Sequence, residues 1–339
     1  MAMMRAIEVQ QQGGPLVLVE RPVPAPSAHE VRIKVQACGV CHSDSITVGG
    51  YMPGITWPRI PGHEVVGIVD ALGSAVAGWE VGARVGVGWH SGSCGYCGQC
   101  RHGNAFACET IHDVTGVYRD GGYAEYMLAH ASALARMPDE LDSVESAPLL
   151  CAGITTFNAI RNAGASAGNL VAVHGIGGLG HLAVQFAAKL GYRTVAIARG
   201  SDKEAFARQL GAHAYIDSTA TDPAEALRAM GGARAIIATV TDATAMGSTV
   251  GGLGPNGTLM VIGAAGNIDV DSMHLLMNRA AVKGWYSGTS IDSEDTLRFS
   301  AVEGITSMNE VYPLEEAQAA YDRMLSGKAR FRVVLRVAD

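Results

Sequence analysis

Residues 169–191 read NLVAVHGIGGLGHLAVQFAAKLG. The apolar run at 169–174 has the length and composition of a strand buried on both faces. The segment 181–190 that follows has helical spacing, with Ala183, Phe186, Ala187 and Leu190 on one face and Gly191 placed to cap its C-terminus. Between them stands Gly175-Ile176-Gly177-Gly178-Leu179-Gly180. A G-x-G-x-x-G pattern is weak alone, but between a strand and a helix it describes a dinucleotide site. Gly175, Gly177 and Gly180 permit a tight turn and bring the pyrophosphate close to the helix N-terminus. The competing reading, an ordinary glycine-rich turn, leaves the flanking strand and helix unexplained.

Reading onward, strands are expected at 194–198, 235–240, 258–262 and 281–285, alternating with helices. One helix is expected to open on a capping box of Ser201 and Glu204 and to end near 210–211. Another opens at Asp222-Pro223-Ala224-Glu225, with Pro in the first helical position. Such alternation predicts a doubly wound parallel sheet, hence an α/β fold. Reading backward, residues 1–150 hold short β-type runs at 30–37, 64–69 and 84–87, broken by Gly and Pro, which predicts an irregular β-rich domain. From about residue 287 short elements are expected again, with a helix at 314–325 and a last strand at 331–337.

The second strand of the α/β part decides the cofactor. NAD sites place Asp or Glu at its end, facing the ribose 2′-hydroxyl. Here the strand ends in Arg199-Gly200-Ser201, and the nearest carboxylate, Asp202, falls in the first turn of the next helix. Arg199, with Ser201 and Lys203, suits a 2′-phosphate. NADP is therefore the preferred cofactor and NAD is left open.

The chain has 339 residues, 48% hydrophobic and 17% charged, with a net charge of −7. That is enough for two cores and argues against disorder. With no basic block, nucleic acid is not an expected partner. With no apolar N-terminal region and no unbroken apolar stretch of spanning length, neither a signal peptide nor a membrane segment is expected, and a cytoplasmic protein is.

Seven Cys stand at 38, 41, 94, 97, 100, 108 and 151. Cys94, Cys97, Cys100 and Cys108 form C-x2-C-x2-C-x7-C, and Gly95, Gly98 and Gly103 supply the turns. Four thiolates close the coordination of one tetrahedral zinc, as structural sites do. An iron–sulfur cluster also takes four Cys, but zinc is preferred.

Two further stretches fall in a familiar order. Cys41-His42-Ser43-Asp44, then Gly62-His63-Glu64-Val65-Val66-Gly67 with Gly73 beyond it, precede the four-cysteine loop and the glycine turn. Together they resemble the zinc-dependent medium-chain alcohol dehydrogenases over essentially the whole chain. The resemblance implies a GroES-like β-rich catalytic domain at 1–152 and 287–339, and a Rossmann domain at 153–286. It implies zinc-dependent interconversion of alcohols with aldehydes or ketones, two zincs per chain and a homo-oligomer, dimer or tetramer. By the same resemblance Cys41, His63 and Cys151 hold the catalytic zinc. Glu64 stands behind it as an occasional ligand, and Asp44 bonds the other ring nitrogen of His63. Cys38 is left for packing. Ser43 resembles the hydroxyl that accepts the alcohol proton; Ile46 stands where many relatives have the His that passes it on. His42 and Arg332 are implied at the pyrophosphate, Thr155, Ile262 and Ser287 near the nicotinamide, and Leu179 under the cofactor. Trp89 is implied in the substrate pocket; Trp57 suits that pocket or the core equally. Reduction of C=N or activated C=C bonds on the same scaffold, and a cofactor-binding protein without turnover, remain as alternatives.

Overall fold

The run that opens the dinucleotide pattern forms the strand Leu170–His174, with all five residues buried. The computed structural model describes residues 2–338. They divide into two compact units, Met1–Ile154 with Ser287–Asp339, and Thr155–Tyr286.

In the second unit six parallel strands lie in the order Ala214–Asp217, Arg193–Ala198, Leu170–His174, Ala233–Ala238, Leu253–Val261, Ala281–Gly284. The first three strands of this unit build outward in one direction and the next three in the other. The direction reverses between Leu170–His174 and Ala233–Ala238, and a crevice for ligand forms beyond the carboxyl ends of strands at such a point. Leu170, Ala172, Val195, Ile197, Ile236 and Leu259 belong to the core on one face of this sheet. The helix Gly180–Lys189 buries Ala183, Phe186 and Ala187 as its spacing predicts.

Two helix starts in this unit differ in kind. Asp222 caps the helix Pro223–Ala229 by accepting the Glu225 N–H at 2.8 Å. The capping box expected at Ser201 and Glu204 does not form. The helix there is Glu204–Gln209, with Lys203 at its N-cap and no side-chain capping bond. The Glu204 carboxylate turns instead to Arg208, one turn on, at 2.8 Å.

The first unit is built on the long strand Glu30–Val40, which pairs antiparallel with Val65–Leu72, Tyr126–His130 and Arg332–Arg336. Val31, Ile33 and Val35 alternate into a core shared with Val65, Val85, Tyr123, Met127 and Leu335. Cys38 is buried in the same core. The short elements expected after residue 287 are in part a 14-residue helix, Ser290–Glu303. Its buried positions are Ser293, Thr296, Leu297 and Ser300, so it shows no apolar stripe. Thr296 and Ser300 satisfy their hydroxyls on the carbonyls one turn back, both at 2.7 Å. Among the described residues no helix is long and apolar enough to cross a membrane.

Candidate active site

Cys41 is the residue after Glu30–Val40, and the helix Asp44–Gly49 starts three residues on. That sharp turn folds Asp44 back so that its Oδ2 accepts the Cys41 N–H at 2.8 Å. His63 and Glu64 come just before the strand Val65–Leu72. Gly62 takes φ of +101° there, and a Cβ on it would overlap the ring of Tyr123. Only glycine suits both conditions, which is why the stretch reads Pro-Gly-His-Glu. Cys151 follows a short 3-10 helix, Ala147–Leu150.

These elements bring four donors together. One atom each from Cys41, His63, Glu64 and Cys151 lies within 4.8 Å of the others. The two sulfurs are 3.9 Å apart. Thiolates sharing one tetrahedral zinc stand about 3.8 Å apart, given Zn–S bonds of about 2.3 Å. His63 Nδ1 is 2.9 Å from Asp44 Oδ1. Its Nε2 is enclosed with no hydrogen-bond partner among the described residues. A buried imidazole nitrogen left bare while its twin is bonded to a carboxylate is what a metal ligand requires. The residues present therefore fit zinc. Trp89 meets His63 edge to face, with ring centres 4.9 Å apart.

The charge state of each donor follows from its neighbours and its burial. The Cys151 sulfur favours Cys41 as thiolate, against burial, and the Cys41 sulfur in turn, with burial, pushes the Cys151 thiol up. Burial works against a charged His63, but the charge and hydrogen bond of Asp44 outweigh it and raise the ring. Burial pushes Glu64 up to about 8, against the pull of Arg332. Metal binding to such a set releases these protons.

The buried guanidinium of Arg332 pairs with Glu64 Oε1, while its Nε finds no hydrogen-bond partner among the described residues. A buried carboxylate without that partner would be costly. Sequence reasoning also missed Tyr123, fully buried, whose hydroxyl donates to Asp44 Oδ2 at 2.8 Å. No motif marks that residue; only the fold brings it to Asp44. Ser43 is half-buried and makes no capping bond to its helix. His42 is exposed and Ile46 half-buried beside it. Trp57 packs against the core and donates its Nε1–H to Thr47 O at 3.2 Å. The packing reading therefore holds for that residue.

A second donor cluster is Cys94, Cys97, Cys100 and Cys108. Backbone N–H groups of Cys94 and Ile111 approach the Cys108 sulfur at 3.3 Å, and that of Cys97 approaches Cys94 at the same distance. Such donors favour thiolates. Against burial, the hydrogen bonds of Thr110 and of the Tyr96 and Cys97 backbone draw Cys94 down to about 6.

In the Thr155–Tyr286 unit the glycine turn is tightly held. The Gly175 N–H donates to Ile197 O at 2.8 Å, and Thr239 Oγ1 donates to His174 O at 3.0 Å. A Cβ on Gly180 would overlap Gly175 O, so the turn and the helix that starts there meet too closely for any side chain. Gly177 and Gly178 lie on this turn, the first facing open space, and Leu179 leads into the helix. Lys203 Nζ donates to Ile176 O at 3.0 Å, which holds the lysine over the turn. Arg199 and Ser201 are exposed at the end of the second strand. Asp217, on the neighbouring strand, is turned to the Gly200 N–H at 2.8 Å and to Thr219. Thr155 is buried, and Ile262 donates its N–H to Ala238 O at 3.1 Å. Ser287, in the other unit, is buried with φ of +47°.

A glycine cradle on a doubly wound sheet and a buried cluster of two cysteines, a histidine and a glutamate suited to a metal describe a metal-dependent oxidoreductase that uses a dinucleotide. Residues 27–139 match the alcohol dehydrogenase GroES-like domain, and 178–301 match the zinc-binding dehydrogenase family. The chain is 44% identical to the alcohol dehydrogenase notN of Aspergillus sp. (strain MF297-2) over 326 residues, 96% of each chain. It is 37% identical to an alcohol dehydrogenase of Geobacillus stearothermophilus over 337 residues, 98% of this chain and 100% of that one. The cobalt- and zinc-bound thermostable alcohol dehydrogenase of Pyrobaculum aerophilum superposes with a TM-score of 0.87 at 29% identity, covering 99% of this chain and 100% of that one. The chain belongs to the zinc-type medium-chain dehydrogenase/reductase family. It is an enzyme that interconverts small alcohols and their carbonyl compounds with zinc and a nicotinamide cofactor.

Proposed function

We propose that the chain does this chemistry at Cys41, His63 and Cys151, with Glu64 as a reserve ligand and NADP(H) as the preferred cofactor. The observation that carries the reading is the convergence of two sulfurs 3.9 Å apart on a histidine whose Nε2 has no partner. When bound, zinc supplies Lewis-acid polarisation of the substrate carbon–oxygen bond and eases loss of the alcohol proton. The remaining work falls to the chain. Asp44 fixes His63 as the tautomer protonated on Nδ1 and aims Nε2. Ser43 takes the alcohol proton and returns it in the reverse direction. Since Ile46 replaces the relay histidine, the proton leaves Ser43 for solvent without a side-chain carrier there. Trp89 walls the pocket beside His63.

In the second unit, which we assign with the segment 153–286 to the dinucleotide, the glycine turn receives the pyrophosphate. Arg199 and Lys203, with Ser201, receive the 2′-phosphate. Two features favour NADP: Arg199 is exposed with no ion pair among the described residues, and Asp217 is occupied by Gly200 and Thr219. His42 is assigned to the phosphates, and Thr155, Leu179, Ile262 and Ser287 to the rest of the cofactor. The four-cysteine loop holds a second, structural zinc. Its four cysteines, none in a disulfide, suit a reducing compartment such as the cytoplasm.

We also read the chain as a homo-oligomer. The edge strand Ala281–Gly284 is exposed along its length. Beside it in sequence, the helix Ser272–Asn278 buries no residue and exposes Met273, Leu276 and Met277. An uncovered edge with apolar neighbours is a pairing surface.

Ser43→Ala tests the chemistry. Alcohol oxidation should fall about a hundredfold or more, the usual worth of a positioned proton acceptor, with zinc content unchanged. Unaltered turnover would remove Ser43 from the reaction.

A further inference from the structure

Tyr123 is wholly enclosed, and its backbone is strapped to the stretch that carries His63. Its N–H donates to Pro61 O at 3.1 Å, and the Gly122 N–H donates to Gly62 O at 3.0 Å. Three residues earlier, Asp120 accepts the Ile60 N–H at 3.1 Å and is clamped by Arg59 at 3.0 Å and Arg21 at 3.1 Å. The segment 120–123 is thus fixed against 60–63. The Tyr123 ring fills the space where any side chain on Gly62 would stand. Its hydroxyl donates to Asp44 Oδ2 at 2.8 Å.

That oxygen also accepts the Cys41 N–H at 2.8 Å, while Oδ1 of the same carboxylate holds His63 Nδ1 at 2.9 Å. One carboxylate, 2% exposed, therefore ties together the backbone of one donor and the ring of another. Packing alone would be served by phenylalanine. A buried hydroxyl costs stability unless it is bonded, and this one is spent on the group that orients His63.

We propose that Tyr123 is a positioning residue for the metal centre: its hydroxyl fixes the rotamer of Asp44, and Asp44 in turn fixes His63 and the Cys41 turn. The inference rests on the assignment of Cys41, His63 and Cys151 as zinc ligands. Without the phenol, Asp44 keeps two of its three partners and gains freedom to turn, so His63 is held less firmly.

The test is the rate of zinc transfer from the full-length, zinc-loaded protein to a chromogenic chelator, in wild type, Tyr123→Phe, Asp44→Asn and the double variant. The four-cysteine loop, elsewhere in the chain, is the internal control. Partners beyond the ligands commonly change metal affinity 10- to 100-fold, and this one stands a step further out, so Tyr123→Phe should release the Cys41–His63–Cys151 zinc roughly three- to tenfold faster. Release from the four-cysteine loop should be unchanged, and Tyr123→Phe should add nothing on the Asp44→Asn background. Equal release rates in wild type and Tyr123→Phe would overturn the inference. So would equal acceleration at both sites, which is general loosening, or acceleration that persists without Asp44. If Cys151→Ser leaves both zincs and their release rates intact, the ligand assignment fails and the inference falls with it.

Discussion

Arg199 carries a choice between cofactors on one side chain. It stands exposed after the strand Arg193–Ala198, where an NAD enzyme would place an acid. A hydrogen bond to a charged group is worth about 1.5–3 kcal/mol, so Arg199→Ala should weaken NADPH binding roughly tenfold or more in a fluorescence titration. NADH binding should stay as it was. A variant that weakens both equally, or neither, would take Arg199 out of the 2′-phosphate site. His174 sets a pH dependence. It ends the central strand with 4% of its surface exposed, and burial depresses it to about 4 against the opposing charge of Asp242. The fold keeps this ring neutral, while the unfolded chain takes up a proton near the ordinary value of about 6.5. Stability from this group is therefore complete above pH 6.5 and is lost as pH falls from there to about 4, by about 3 kcal/mol in all. His174→Phe should flatten the fall in Tm across that window; an identical fall in the variant would contradict the account. At this scale the sequence was uneven. The four clustered Cys stood out because metal ligands must be particular residue types at turn-forming spacings, whereas His63 was reached only through the family resemblance. Tyr123 on Asp44 and Arg332 on Glu64 were not, because partners 79 and 268 residues apart meet only through the sheet.

Among the elements, the loop that carries Cys94 to Cys108 depends most on its metal. Apart from Cys108 its residues are half-buried or exposed, and its helical pieces are four and three residues long. With so little apolar burial, the loop's order comes from thiolates on one centre. Cys100→Ser should remove one zinc per chain while sparing the other, and protease cleavage within the loop should quicken roughly tenfold as its local opening becomes easier. Unchanged zinc content and cleavage would refute a structural zinc there. The elements also show where pattern reading stops. The strand Leu170–His174 and the helix Gly180–Lys189 were predicted to within a residue or so because apolar periodicity and glycine punctuation agreed. The helix Ser290–Glu303 escaped because its buried face is Ser, Thr and one Leu, whose hydroxyls bond within the helix. The absent capping box at Ser201 shows the reverse error: the right residues were present, but Glu204 found Arg208.

For the molecule as a whole, the α/β alternation and the β-rich remainder were readable as fold classes because each has its own hydrophobic period. The homo-oligomer is expected from the resemblance alone, since an exposed edge looks in sequence like any other short strand. Val282, 36% exposed on Ala281–Gly284, gives a handle on it. Val282→Lys should shift the mass in solution toward the single chain, measured by light scattering; a wild type that is already monomeric would end the oligomer reading. The central claim is that carbonyl reduction runs on the Cys41–His63–Cys151 site. The most direct test is the initial rate of NADPH oxidation with benzaldehyde, measured in parallel on the zinc-loaded wild type and on Cys151→Ser. The account predicts steady conversion to benzyl alcohol by the wild type and a loss of about a hundredfold or more in the variant, the scale expected when a Lewis acid is withdrawn from the reacting oxygen. A Cys151→Ser protein as fast as the wild type would contradict it.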